Sequence, residues 1–178
     1  MRIYVASSWR NEARQQATVL ALREAGHEVY DFRNPAPGDT GFGWRQCATP
    51  EQLRDPQRFR DEVLTHPIAR AAFEKDMGAL RAAEVTVLVL PCGRSAHLEL
   101  GWGARNARSV VLLDDPISEP ELMYLCNDHI CVTIAEVVSV CTERRCIQCG
   151  IRTAWYPTID GGRVVCGDFP ACKAQAPA

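Results

Sequence analysis

Two carboxylates and a phenol are the residues from which chemistry could be built. Glu99 stands in "PCGRSAHLELGWGA" (91–104), set between Leu98 and Leu100 just after an apolar run, "VTVLVL". Asp76 lies on the preceding helical stretch, eight residues before the strand that starts at Glu84. Tyr4 sits inside "RIYVA" near the amino terminus. Taken singly, each has an ordinary role: dipole compensation near a helix start, solvated helix surface, and core. Gathered around one cleft, they suit nucleophilic chemistry at an anomeric carbon. One carboxylate attacks, and another group manages the proton of the leaving group.

The elements that would gather them can be read from hydrophobic period and punctuation. "RIYVA" (2–6) reads as a strand, residues 11–26 as a helix and "HEVYDF" (27–32) as a second strand. The helix carries Ala13, Ala17, Leu20 and Leu22 near one face, with Gly26 as its stop. Helices are expected near 50–65 and 67–82, the second opened by Pro67 with an apolar stripe of Ile68, Ala72, Phe73, Met77 and Leu80. A buried strand follows at 84–91, a helix at 96–107 with Ser95 as its N-cap, and a strand at 109–113. Residues 119–126 read as a helix, 129–132 as a fifth strand and 134–141 as a last helix. Such alternation, with near-continuous apolar strands, predicts an open parallel α/β sheet with helices on both faces.

In a sheet of that kind ligands bind beyond the carboxyl ends of the strands. The first strand ends there in Ser7, Ser8 and Trp9, and the third in "PCGRS", which supplies Arg94 and Ser95. Glu99 falls just past the first turn of the next helix, where the amino-terminal dipole is expected to favour its ionised form. Leu98 and Leu100 are expected to face the core. The long Gly/Pro-rich stretch 33–50 carries Phe42 and Trp44, which either pin the loop to the body or wall a planar ligand.

Composition bounds the rest. The chain has 178 residues, 47% hydrophobic content and a formal net charge of −2, which gives no global basic field for nucleic acid. No secretion signal and no run of about 18 apolar residues are seen, so a cytoplasmic, non-membrane protein with reduced thiols is expected. Nine cysteines are present, and Cys146, Cys149, Cys166 and Cys172 crowd the last quarter. Two pairs flanking "YPTIDGGRVV", a hairpin pattern with Asp160-Gly161-Gly162 at its turn, fit a tetrahedral structural zinc ribbon. Cys141 could substitute for one ligand. Two domains follow: residues 1–141 as the α/β domain and 142–178 as the ribbon. Arg144, Arg145, Arg152, Arg163 and Lys173 outnumber Glu143, Asp160 and Asp168 in the ribbon, and Trp155 and Tyr156 are its aromatic tips. A weak nucleic-acid contact is one reading of that segment, and a structural or oligomer-packing role is the better supported one.

"IYVASSW", "FEKDMGALRAAEVTVLVLP" and "HLELGWGA" together resemble the nucleoside 2-deoxyribosyltransferases and the related 2'-deoxynucleoside 5'-monophosphate N-glycosidases. The resemblance runs over residues 1–140 and leaves the ribbon outside. It implies a flavodoxin-like five-stranded parallel sheet, a homo-oligomer with shared active sites, and no organic cofactor. Glu99 matches the nucleophilic glutamate, Tyr4 the tyrosine that orients it, and Asp76 the aspartate that handles the base. The transferases carry a second aspartate shortly before the glutamate. Here "CGRSAH" stands in that place with no acid, which tilts the expectation from base transfer to hydrolysis. The monophosphate hydrolases also lack that acid and bind phosphate through serines in these loops, roles open here to Ser7, Ser8, Arg94 and Ser95. Two other readings stand beside this one: an NAD glycohydrolase of TIR-like type, and a non-catalytic nucleotide sensor or nucleic-acid adaptor.

Overall fold

The computed structural model describes residues 1–142 and, beyond them, the backbone of four short strands. The chain divides into two compact units, Met1–Ile134 and Ala135–Ala178. The first unit is built on five parallel strands: β1 (Arg2–Ala6), β2 (Glu28–Asp31), β3 (Val85–Val89), β4 (Arg108–Leu112) and β5 (His129–Cys131). Their order across the sheet is β2-β1-β3-β4-β5, the flavodoxin-like order. Every residue of β3, and Ile3 to Ala6 of β1, is buried. Successive side chains point to opposite faces, so these strands are covered on both sides. That is why they read as unbroken apolar runs.

Helix α1 (Glu12–Glu24) joins β1 to β2 and ends before Gly26, whose φ of +84° is the left-handed turn expected of that glycine. Its buried face is Gln15, Thr18, Val19 and Leu22, whereas Leu20 and Ala17 are exposed. The sequence reading misplaced this face because two of its members are polar. Gln15 is buried because its amide donates to Asp31 Oδ1 at 2.9 Å. Asp31 also accepts from Gln16 and Asn34, which pins the start of the long loop.

The single helix expected near 50–65 is three pieces: α2 (Pro50–Arg54), α3 (Pro56–Arg58) and a π turn at Phe59–Val63. Pro56 breaks it, since the residue before a proline is driven out of the helical region and Asp55 is extended. The Asp55 side chain then caps the N–H groups of Gln57 and Arg58. Helix α4 (Pro67–Ala82) begins at the anticipated proline. Its Ile68 and Phe73 are exposed, so the inward stripe runs instead through Ala69, Ala72, Asp76 and Leu80.

Helix α5 (Arg94–Gly103) starts earlier and stops earlier than expected. Gly93, not Ser95, is the N-cap, and its extended backbone turns the chain into the helix straight from the strand exit. Ala96, Leu100 and Gly103 are its buried residues. A Cβ on Gly103 would stand 2.3 Å from Thr86 Oγ1, so this glycine permits the close approach of α5 to β3. Residues 119–126 form only a short 3-10 turn at Leu122–Cys126.

The second unit holds most of α6 (Ile134–Thr142) and two antiparallel strand pairs, β6 (Arg144–Arg145) with β7 (Arg152–Thr153), and β8 (Thr158–Asp160) with β9 (Arg163–Val165). Asp160 pairs with Arg163, so the anticipated hairpin closes over a two-residue connection. Cys146, Cys149, Cys166 and Cys172 lie outside the described residues, as do Trp155 and Tyr156. Among the described residues no helix is long and apolar enough to cross a membrane.

Candidate active site

Strand order reverses between β1 and β3, and the crevice at their carboxyl ends is the expected ligand position. Glu99 is carried by α5, the helix that follows the end of β3. It takes its place in an i, i+3, i+4, i+7 series with Ala96, Leu100 and Gly103, which is the inward stripe of the helix. Leu98 falls outside that stripe and is 74% exposed, so the expectation that both flanking leucines face the core holds for Leu100 alone. Asp76 occupies the corresponding place on α4, between Ala72 and Leu80. Each helix therefore spends a core-facing position on a carboxylate.

The sheet meets each carboxylate with a phenol. Tyr4 is fully buried on β1, and its hydroxyl lies close enough to Glu99 for the two to act on each other's ionisation. Tyr30, directly opposite Tyr4 in the β1–β2 register, donates to Asp76 Oδ1 at 2.7 Å. The two rings stack, with centroids 5.3 Å apart and planes inclined by 16°. The sequence reading did not single out Tyr30. The alternation of "HEVYDF" marks it as a strand residue, but only the register with β1 shows what it faces.

Electrostatics bind these groups into one unit. Burial, and then the nearby charge of Asp76, push the Glu99 carboxyl up to about 7, against the pull of the Tyr4 hydroxyl. The anticipated dipole effect does not prevail. Glu99 is beyond the first turn of α5, where the helix terminus acts weakly, and desolvation dominates. Asp76 is likewise raised by burial, with Tyr30 and Lys75 opposing and Asp39 adding to the rise. Burial, followed by the charges of Glu99 and Asp76, keeps the Tyr4 phenol protonated. A half-buried pair of interacting carboxylates, each near a neutral phenol, can divide the labour of nucleophile and acid.

The remaining candidates are placed as follows. Ser7 donates to the Val89 carbonyl at 2.8 Å and accepts from Asn11, tying the ends of β1 and β3 together. The Ser8 hydroxyl accepts from the Arg10 N–H at 3.1 Å. Trp9 packs edge-on against Phe32, under the Arg33 guanidinium at 4.8 Å. Gly41, with φ of +76°, lies so close to Trp9 that a Cβ would come within 2.9 Å of the ring. Phe42, Trp44 and Phe59 form an edge-to-face cluster, with centroids 5.0 and 5.5 Å apart, which holds the long loop to the π turn. The same loop is latched to α4 by an ion pair between Asp39 and Lys75, the neighbour of Asp76. Ser95 is exposed one turn before Glu99 on the same side of α5. Arg94 is on the opposite side.

That opposite side borders a cavity of about 920 Å³ at the ends of β3 and β4. Arg94, His97 and Leu98 line it from α5, with Cys92, Asp114 and Tyr124 across from them. His97 Nε2 and the Tyr124 hydroxyl are 3.0 Å apart, and His97 Nδ1 lies 3.0 Å from the Gly93 carbonyl. Burial, and then the charges of Glu99 and Asp114, push the Cys92 thiol up to about 12, so it is a neutral thiol. Glu99, Asp76 and Tyr4 are not among the residues of this cavity. Among the described residues no group of three His, Cys, Asp or Glu side chains is placed to hold a metal ion.

No family model matches the chain, and no curated protein matches it. Among solved structures it is similar to a 2-deoxyribosyltransferase from the psychrotolerant bacterium Bacillus psychrosaccharolyticus. The identity is 18%, the match covers 78% of this chain and 90% of that one, and the TM-score is 0.49.

Proposed function

We propose that the protein cleaves the N-glycosidic bond of a (deoxy)nucleoside or nucleoside monophosphate, with Glu99 as nucleophile and Asp76 as the acid that assists the base. The observation that carries this is the convergence of two carboxylates from two helices over the tyrosines of β1 and β2. Both carboxylates are half-buried and electrostatically coupled, Asp76 accepts from the Tyr30 hydroxyl, and the Tyr4 phenol lies near Glu99. A protein that only bound an anionic ligand would gain nothing from desolvated acids at that place. The motif resemblance over residues 1–140 points the same way.

In this reading a Glu99 carboxylate oxygen forms a bond to C1' through an oxocarbenium-like transition state. The C1'–N bond breaks, its electron pair goes to the base nitrogen, and Asp76 delivers the proton. Water then attacks C1', Asp76 takes up a proton from that water, and Glu99 leaves as a carboxylate. Tyr4 holds Glu99 in line for attack. Hydrolysis is preferred over transfer to a second base because the stretch from Cys92 to Leu98 supplies no further acid. The substrate phosphate, where present, would meet Ser8, Ser95 and the backbone N–H groups at the start of α5. For the C-terminal segment we propose a structural zinc on Cys146, Cys149, Cys166 and Cys172. The β8–β9 hairpin between the two pairs supports this.

Chromatography of nucleosides, nucleoside monophosphates and NAD after incubation with wild type and Glu99→Gln tests the reading. Free base from a deoxynucleoside or its monophosphate, abolished in the variant, is the expected result. Normal turnover by Glu99→Gln sinks the nucleophile assignment. Nicotinamide release from NAD without base release from the others selects the NAD glycohydrolase, and binding without product selects the sensor.

A further inference from the structure

We propose that Tyr30 is a positioning residue for this reaction: its hydroxyl fixes the side chain of Asp76 and, by occupying Oδ1, leaves the transferable proton to Oδ2. The inference rests on the glycosidic-bond reading and adds to it a residue that neither the motifs nor the resemblance supplies.

It begins in the sheet. Tyr4 and Tyr30 are partners in the parallel β1–β2 register, so their side chains leave the same face side by side. Neighbouring strands hold their backbones about 4.8 Å apart, and the rings keep that spacing, with centroids 5.3 Å apart. Two hydroxyls are thus carried on one rigid base. One lies near Glu99 of α5 and acts on its ionisation, and the other donates to Asp76 of α4. The strand pair acts as a ruler between the two carboxylates, although they belong to different helices.

The groups facing Asp76 leave Tyr30 as the one suited to orient it. From its own helix comes Lys75, whose ammonium is bound by Asp39 of the long loop. Asp39 itself acts on Asp76 in the opposite sense to Lys75, so the two partly cancel there. Glu99 of α5 and the buried phenol of Tyr4 complete the surroundings. Tyr30 alone among these carries a neutral O–H within 2.7 Å of one Asp76 oxygen. An uncharged donor fixes a rotamer without cancelling the acid's charge, whereas a cation at that distance would hold the carboxylate ionised and remove its proton.

Tyr30→Phe keeps the ring stack and removes the hydroxyl, so it is the informative variant. The expected result is a kcat lowered about ten-fold or more with KM little changed. The pH limb that belongs to Asp76 should move upward, because a donor that favours the ionised carboxylate is gone. In an Asp76→Asn background the same substitution should cost almost nothing more, since the two groups act as one unit. Carboxyl-carbon NMR titration of Asp76 should show the same upward movement in Tyr30→Phe. An unmoved titration, or a full additive loss in the Asp76→Asn background, overturns the proposal even where the melting temperature falls. The titration is readable without turnover. A moved titration in a protein that releases no base therefore removes the glycosidic reading while keeping the Tyr30–Asp76 coupling.

Discussion

On one flank of α5, Tyr4 and Tyr30 stack beside two half-buried carboxylates, and Tyr30 donates to one of them. On the other, His97 and Tyr124 stack, with centroids 5.9 Å apart and planes inclined by 9°, and satisfy each other. The second flank has the roomy cavity, the imidazole and a thiol. By volume and by residue type it would be chosen first as an active site. Yet its thiol is held neutral, and its histidine already has partners at both ring nitrogens. The first flank's groups are displaced from ordinary ionisation by burial and by one another. The contrast is between space on one flank and coupled, shifted acids on the other, and the proposed function follows the acids.

The largest effect should come from setting the two flanks against each other. Glu99→Gln is expected to lower base release at least about 10³-fold, because it removes the proposed nucleophile. His97→Ala, on the far flank, should leave it within about three-fold. In the wild type, kcat/KM should show a two-limbed pH profile, one limb from Glu99 near about 7, whose ionised form attacks, and one from Asp76, whose protonated form donates. Steady-state assays of both variants, with a pH series for the wild type, measure this. A His97 variant as damaged as the Glu99 variant would break the distinction between the flanks.

The next effect is on stability, and it sharpens the same contrast. The folded state raises Glu99 from an ordinary 4.5 to about 7, so native protein binds this proton more tightly than the unfolded chain does. The sign follows. Below about 4.5 both states are protonated and the residue costs nothing. Between the two values the unfolded chain ionises while the native state does not, and stability falls as pH rises. Above about 7 the loss is complete, on the order of 3 kcal/mol. Glu99→Gln should therefore melt several degrees above wild type at pH 8, with the gap closing toward pH 5. Thermal melts at the two pH values decide it. A variant less stable than wild type at pH 8 would mean that Glu99 is not held against its own solvation.

Much of this architecture could be read from the residues before any coordinates. β1 was bounded from "RIYVA", α4 from Pro67, the end of α1 from Gly26, and the β8–β9 hairpin from its Asp-Gly-Gly turn. These are local signals, each fixed by backbone chemistry within a few residues. Glu99 and Asp76 were also legible as candidates. Their positions on the inward stripes became clear only when Leu98, Ile68 and Phe73 proved exposed. Apolar residues attract attention in a sequence, and a polar residue on a core face is easily taken for surface. Gln15 shows the same thing in α1, where a partner on β2 makes its burial affordable. Tyr30 was beyond reach for a different reason. Its meaning lies in a strand register and in a helix 46 residues away, and neither is encoded in its neighbours.

The smallest expected effect tests whether the far flank is as idle as it looks. Leu98 is 74% exposed and borders the cavity, while Leu100, two residues on, is 4% exposed in the core. A helix advances about 100° per residue, which is enough to swing Leu98 away from the Ala96–Glu99–Leu100–Gly103 stripe. Its side chain removes little apolar surface from water on folding, so Leu98→Gln should change unfolding free energy by no more than about 0.5 kcal/mol. Base release should be unaltered. Urea unfolding at two protein concentrations, together with the chromatographic assay, measures both. A loss well beyond about 1 kcal/mol, or a loss that depends on protein concentration, would mean that this flank is covered in solution by a second copy of the chain. The comparison would then have to be redrawn, between one flank that holds the proposed reacting groups and another that holds the partner.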